Sequence, residues 1–257
     1  MRSLIAGVLT GLLCSSTAYA AEPVTSFKIL KLEGNNVSWQ RPDRGQGLVI
    51  TYSLATETVE FPGARNCRKI APVEGLVAAS ALAGSAVRQE IAAAFAMWEA
   101  VANITFREVA DPATANILIG AQTEPQGWAF ADVFYDALSP ERVKPISKAL
   151  ICLNPAKRWK IGFDGDLKTY DLRYTIAHEI GHAIGLDHPN GPGQIMGYRY
   201  EEHFRQLQLG DVQGAIQIYG GREPSGLTVA SEGSDAVPLR GSAARRWGTR
   251  AFTAPSN

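Results

Sequence analysis

Hydrophobic positions along the chain change their spacing several times, and each change marks an element. Leu48-Val49-Ile50-Thr51-Tyr52-Ser53-Leu54 is rich in β-branched and aromatic residues and predicts a strand. Val87, Ile91, Phe95 and Trp98 recur at helical spacing with alanines between them, which predicts a helix over about 85–102. Further strands are expected over 104–109, 116–121, 127–135 and 149–153, with an earlier short one over 27–32. A helix is expected over 169–184. A closing helix is expected over 207–219, with Leu209, Val212, Ile216 and Tyr219 near one face. The connection after the first long strand carries Pro62, Gly63 and Pro72 and reads as a loop.

The two ends follow other rules. Arg2, the apolar run Leu4 to Leu13 and Ala18-Tyr19-Ala20 read as a secretory signal peptide over 1–20, too short and wrongly flanked to span a bilayer. Residues 221–257 are rich in Gly, Ser, Ala, Pro and Arg without a period, and read as a flexible tail. Between them lie an N-terminal segment, 21–47, and one domain, 48–220. The chain of 257 residues has 25 basic and 25 acidic side chains, so charge points neither to nucleic acid nor to a solvated, disordered protein. Export leaves Cys67 and Cys152 as a disulfide candidate in an oxidising compartment.

Three of the four histidines lie in His178-Glu179-Ile180-Gly181-His182-Ala183-Ile184-Gly185-Leu186-Asp187-His188. On a helix His178 and His182 share a face one turn apart, and Glu179 beside them can reach a metal-bound water. Gly185 permits a sharp turn that returns His188 as a third ligand. Three nitrogens with an open fourth position make a catalytic type of zinc site. His203, beside Glu201 and Glu202, reads as a surface residue. Asp164 and Asp166 flank Gly165 and are weak candidates for calcium, a solvated loop being the plainer reading.

With Ile195-Met196-Gly197-Tyr198 following, the segment resembles the signature of the metzincin clan of zinc endopeptidases. The order strand, helix ending at Trp98-Glu99, Ile104-Thr105-Phe106, metal helix and closing helix is similar to the matrixins. The resemblance implies an α+β domain: a twisted mixed sheet packed on two long helices, with a third C-terminal helix. It implies one catalytic zinc on His178, His182 and His188, Glu179 as general base and Met196 as a floor beneath the metal. It implies that 127–135 is the cleft's edge strand, which pairs with an extended substrate. Tyr198 departs from the matrixin pattern and resembles the astacins and serralysins, which implies a labile metal ligand that also donates to the oxyanion. No proline-arginine-cysteine-glycine switch is present, and the stretch after Ala21 is too short for a full inhibitory prodomain. The expectation is a secreted or periplasmic monomer that cleaves protein or peptide, with no nucleic acid partner and no stable membrane insertion. The alternatives are a catalytically inactive zinc-binding adhesion module or a zinc hydrolase of a non-peptide bond.

Overall fold

The computed structural model describes residues 26–40 and 47–222. The expected signal peptide lies outside the described residues, as does the tail beyond Arg222. The central sheet contains β1 (Leu48–Leu54), β2 (Ile104–Glu108), β3 (Ile117–Gln122), β4 (Ala129–Tyr135) and β5 (Lys144–Leu153), in the order β2-β1-β3-β5-β4. The first four strands in that order run parallel, and β4 runs antiparallel to β5. All six residues of β3 are buried, as a central strand covered on both faces requires. As expected, 127–135 holds the edge: among the described residues β4 pairs with β5 alone.

One face carries the main core. There α1 (Gly84–Val101) packs on the metal helix, α2 (Leu172–Ala183), while Val87, Ile91, Phe95 and Trp98 are all buried. The closing helix α3 (Leu209–Tyr219) corrects the sequence reading. Leu209 and Ile216 are exposed, and the buried face is Gly210, Asp211, Gly214, Ala215 and Tyr219. Small residues are needed there because the helix comes close. A Cβ on Gly214 would lie 2.8 Å from the Leu186 side chain and 3.0 Å from Phe27. The expected helix and mixed-sheet architecture is otherwise present, so the domain is α+β.

The opposite face is covered by a part of the chain that the sequence reading left as loop. Residues 55–71 form a hairpin, Val59–Glu60 with Lys69–Ala71, which pairs onto the end of β3. A short helix, Glu74–Ala79, follows it. Cys67 and Cys152 are joined in a disulfide inside a small cluster with Ala55, Ala64, Ile70, Leu118 and Leu150. Strand β5 is ten residues long rather than the expected five, because Lys144 and Pro145 pair with Val37 and Ser38 of the N-terminal segment.

Both ends of α2 are fixed by buried polar groups. At its start the fully buried Asp171 caps Tyr174 N at 2.8 Å. Arg205 bridges Asp171 and Glu90, donating at 2.8 and 2.6 Å from Nη2, and Arg173 adds a two-pronged pair to Glu90. These guanidiniums compensate two carboxylates that burial would otherwise penalise. At the other end Trp39 Nε1 donates to Ala183 O at 2.9 Å, Tyr219 to Ile184 O at 2.6 Å and Leu30 N to Gly185 O at 2.8 Å. The carbonyls at the helix end and in the turn after it, left without intrahelical partners, are thus taken up by the N-terminal segment and the closing helix.

Candidate metal centre

His178 and His182 project from one face of α2, and His188 returns after a turn at Gly185. Gly185 has φ +100°, and a Cβ there would lie 2.6 Å from Val37 O, so the turn requires glycine for conformation and for space. The three Nε2 atoms form a triangle with sides of 3.0, 3.1 and 3.2 Å. His178 Nδ1 lies 2.7 Å from Ile195 O and His182 Nδ1 lies 2.8 Å from Leu186 O. Carbonyls only accept, so these Nδ1 atoms carry the protons and the Nε2 lone pairs of both rings face inward. Converging lone pairs repel one another unless a cation lies between them. Tetrahedral zinc, with bonds of about 2.0–2.1 Å, separates its nitrogens by about 3.3 Å, so the donor set fits a metal ion.

The electrostatics keep these rings ready to ligate. Burial holds His178 well below its ordinary value, aided by His182, and pushes His182 down to about 4. Burial lowers His188 as well. All three are neutral at neutral pH, the form that binds metal. Glu179 lies in the same cleft, and burial followed by the charge of Asp132 pushes it up to about 8. A divalent ion beside it favours the carboxylate and draws that value back down.

Met196 is buried and packs against the metal helix at Gly181. A Cβ on Gly181 would lie 2.1 Å from the Met196 sulfur and 3.0 Å from Trp98, so the helix glycine is the space the thioether fills. The residue that holds this turn was missed from sequence. Asp211, buried in α3, accepts from Ile195 N and Met196 N, each at 2.9 Å, and from Gln208 N at 2.8 Å. The last of these belongs to a capping box of Gln208 and Asp211, a spacing signal that could have drawn attention to the pair.

A sequence model of the matrixins matches residues 76–220. This chain belongs to the matrixin family. The similarity extends to plant and animal proteins. Metalloendoproteinase 1-MMP of Arabidopsis thaliana is 29% identical over 156 residues, which are 56% of this chain and 41% of that protein. Metalloendoproteinase 4-MMP of the same plant is 26% identical over 195 residues, 70% of this chain and 55% of that one. The hatching enzyme of Paracentrotus lividus is 27% identical over 152 residues, 56% of this chain and 24% of that protein. The chain therefore spans from about a quarter to about half the length of these relatives.

In this matrixin a cleft of about 720 Å³ runs between β4 and α2, with His178, Glu179, His182 and His188 in its floor. Tyr198 is at the rim, 81% exposed, with its ring edge-on to His188 at 5.2 Å between centroids. Its neighbour Tyr200 is committed elsewhere: the phenol accepts from Asp171 N at 3.0 Å and donates to Glu202 at 2.6 Å. His203 is exposed and apart from the triad, as expected. The loop offered for calcium is closed by its own contacts. Lys160 pairs with Asp164 and Glu202, and Asp166 accepts from Lys168 N and Thr169 Oγ1. These carboxylates already have partners, so calcium finds no support there. No helix of the described residues is long and apolar enough to cross a membrane.

Proposed function

We propose that this chain is an exported zinc-dependent endopeptidase. The observation that carries the reading is the convergence of three neutral imidazoles beside Glu179, which has no hydrogen-bond partner among the described residues, in a cleft bordered by an edge strand. Zinc held by His178, His182 and His188 would lower the pKa of a coordinated water to about 7 and polarise the scissile carbonyl. Glu179 takes the proton of the attacking water at its carboxylate and passes it to the leaving amine nitrogen. The open N–H and C=O groups of Ala129–Tyr135 hold the substrate as an added strand, so the peptide bond lies across the histidines. A purely structural zinc site has no use for that acid. The leader reading, with the disulfide of Cys67 and Cys152, supports secretion or passage to the periplasm.

The test is clearing of a casein film by the mature chain. It should be abolished by a chelator and restored by zinc. Clearing that survives full chelation, or none in the zinc-loaded protein, would overturn the reading.

Tyr198 belongs to the same proposal. Its exposure and its contact with His188 support a phenol that donates to the oxyanion, and they argue against a packing role in the core. Tyr198→Phe should lower kcat by about 10–100-fold with zinc content unchanged, in line with the loss of one oxyanion donor. Unchanged turnover on a fluorogenic peptide would leave the ring with a contact role only.

A further inference from the structure

The loop Phe61–Arg68 contributes nothing to the metal centre, yet Gly63, Ala64, Arg65 and Asn66 line the cleft. It is held there at several points. Cys67 is tied to Cys152 of β5. Asp132 of the edge strand accepts from Asn66 N and Cys67 N, each at 2.7 Å, and from Asn66 Nδ2 at 3.1 Å. The loop also closes on itself, with Phe61 N donating to Arg68 O at 2.7 Å and Ala64 N to Phe61 O at 2.9 Å. Arg65 therefore stands on rigid backbone while its side chain is exposed. Among the described residues no ion pair or hydrogen bond engages its guanidinium. Asp132, the acid of the edge strand, is already used by the three donors above.

Side chains of β4 alternate between two faces. Ala129, Ala131, Val133 and Tyr135 pack toward the core that contains the metal helix. Phe130 and Phe134 pack on the disulfide cluster, and Asp132 faces the loop. A peptide added as a strand at this edge continues the alternation. Its residues opposite Asp132 or Phe134 then point to the disulfide side, where Arg65 waits. An arginine pre-positioned by covalent and hydrogen-bonded anchors loses little freedom on pairing and suits a carboxylate.

We propose that Arg65 is a specificity-determining residue that selects an acidic side chain in the substrate, at a position paired with Asp132 or Phe134. The inference rests on the endopeptidase reading above. It is tested with zinc-loaded full chain and fluorogenic peptides that differ only by Glu, Gln or Lys, scanned one position at a time on each side of the cleaved bond. The wild type should prefer Glu over Gln in kcat/KM by about fivefold at one position, the size expected of a partly exposed pair. The preference should shrink as salt is raised. Arg65→Gln should erase the ratio, Arg65→Lys keep part of it, and Arg65→Glu turn it toward Lys. The same ordering should hold for peptide affinity in Glu179→Ala carrying each Arg65 change, where no turnover intervenes. A ratio that is the same in wild type and Arg65→Gln at every position would overturn the inference while leaving the endopeptidase reading intact. Failure of the wild type to cleave any peptide would sink both.

Discussion

Replacing Glu179 by Ala leaves the zinc and the fold in place and lowers peptide hydrolysis by about 10²–10⁴-fold, the range that a positioned acid–base group supplies. Three features lead to this expectation. The side chain is buried in the cleft beside the histidines, so on the proposed mechanism its carboxylate would lie near the water that loses a proton. It is not a member of the ligand triangle, so the metal stays when it is removed. Its removal deletes an acid that burial disfavours, so the folded state should be no less stable. Glu179→Gln keeps the shape and should be as inactive as Glu179→Ala, which separates proton transfer from packing. Zinc content, a melting curve and kcat/KM on one peptide decide the matter. Near-normal turnover with zinc retained would remove Glu179 from the chemistry.

The double change Cys67→Ser with Cys152→Ser should lower folding stability by about 4–5 kcal/mol at most, because the bridge closes a long stretch of chain. The two cysteines are 85 residues apart in sequence, and both are fully buried. The loss falls on the face of the sheet away from the metal, where the hairpin of residues 55–71 has little else to bury than the small cluster around Ile70, Leu118 and Leu150. Denaturant unfolding of the oxidised wild type against the double variant measures it. A shift below about 1 kcal/mol would mean that the Asp132 contacts alone hold the loop, far from the chain-entropy value. Free-thiol titration of the unfolded, unreduced protein should find none at these two positions.

The metal centre was legible because its parts are close in sequence. Histidines at spacings of four and six, an acid next to the first and a glycine at the reversal need only local geometry to be recognised. The stripe on α1 was legible for the same reason: bulky residues at helical spacing face one core. The closing helix defeated that logic. Its buried face is made of Gly210, Gly214 and Ala215, whose value lies in how near a neighbour can come, while Leu209 and Ile216 point outward. Asp211 was equally hidden, since its function is to accept from two amide groups fifteen and sixteen residues earlier in the chain. The wall built from residues 61–68 was obscured by Pro62 and Gly63, which signal a turn but not what the turn is fastened to. Only the fold brings Asp132 and Cys152 beneath it.

On the proposed reading, three histidines hold one zinc, and that zinc makes this cleft hydrolytic. The direct measurement is metal content and fluorogenic-peptide hydrolysis on the same samples of the mature chain and of His188→Ala. The expected result is about one zinc per chain with chelator-sensitive hydrolysis in the first, and loss of both metal and activity in the second. Full zinc and full activity in His188→Ala would contradict it.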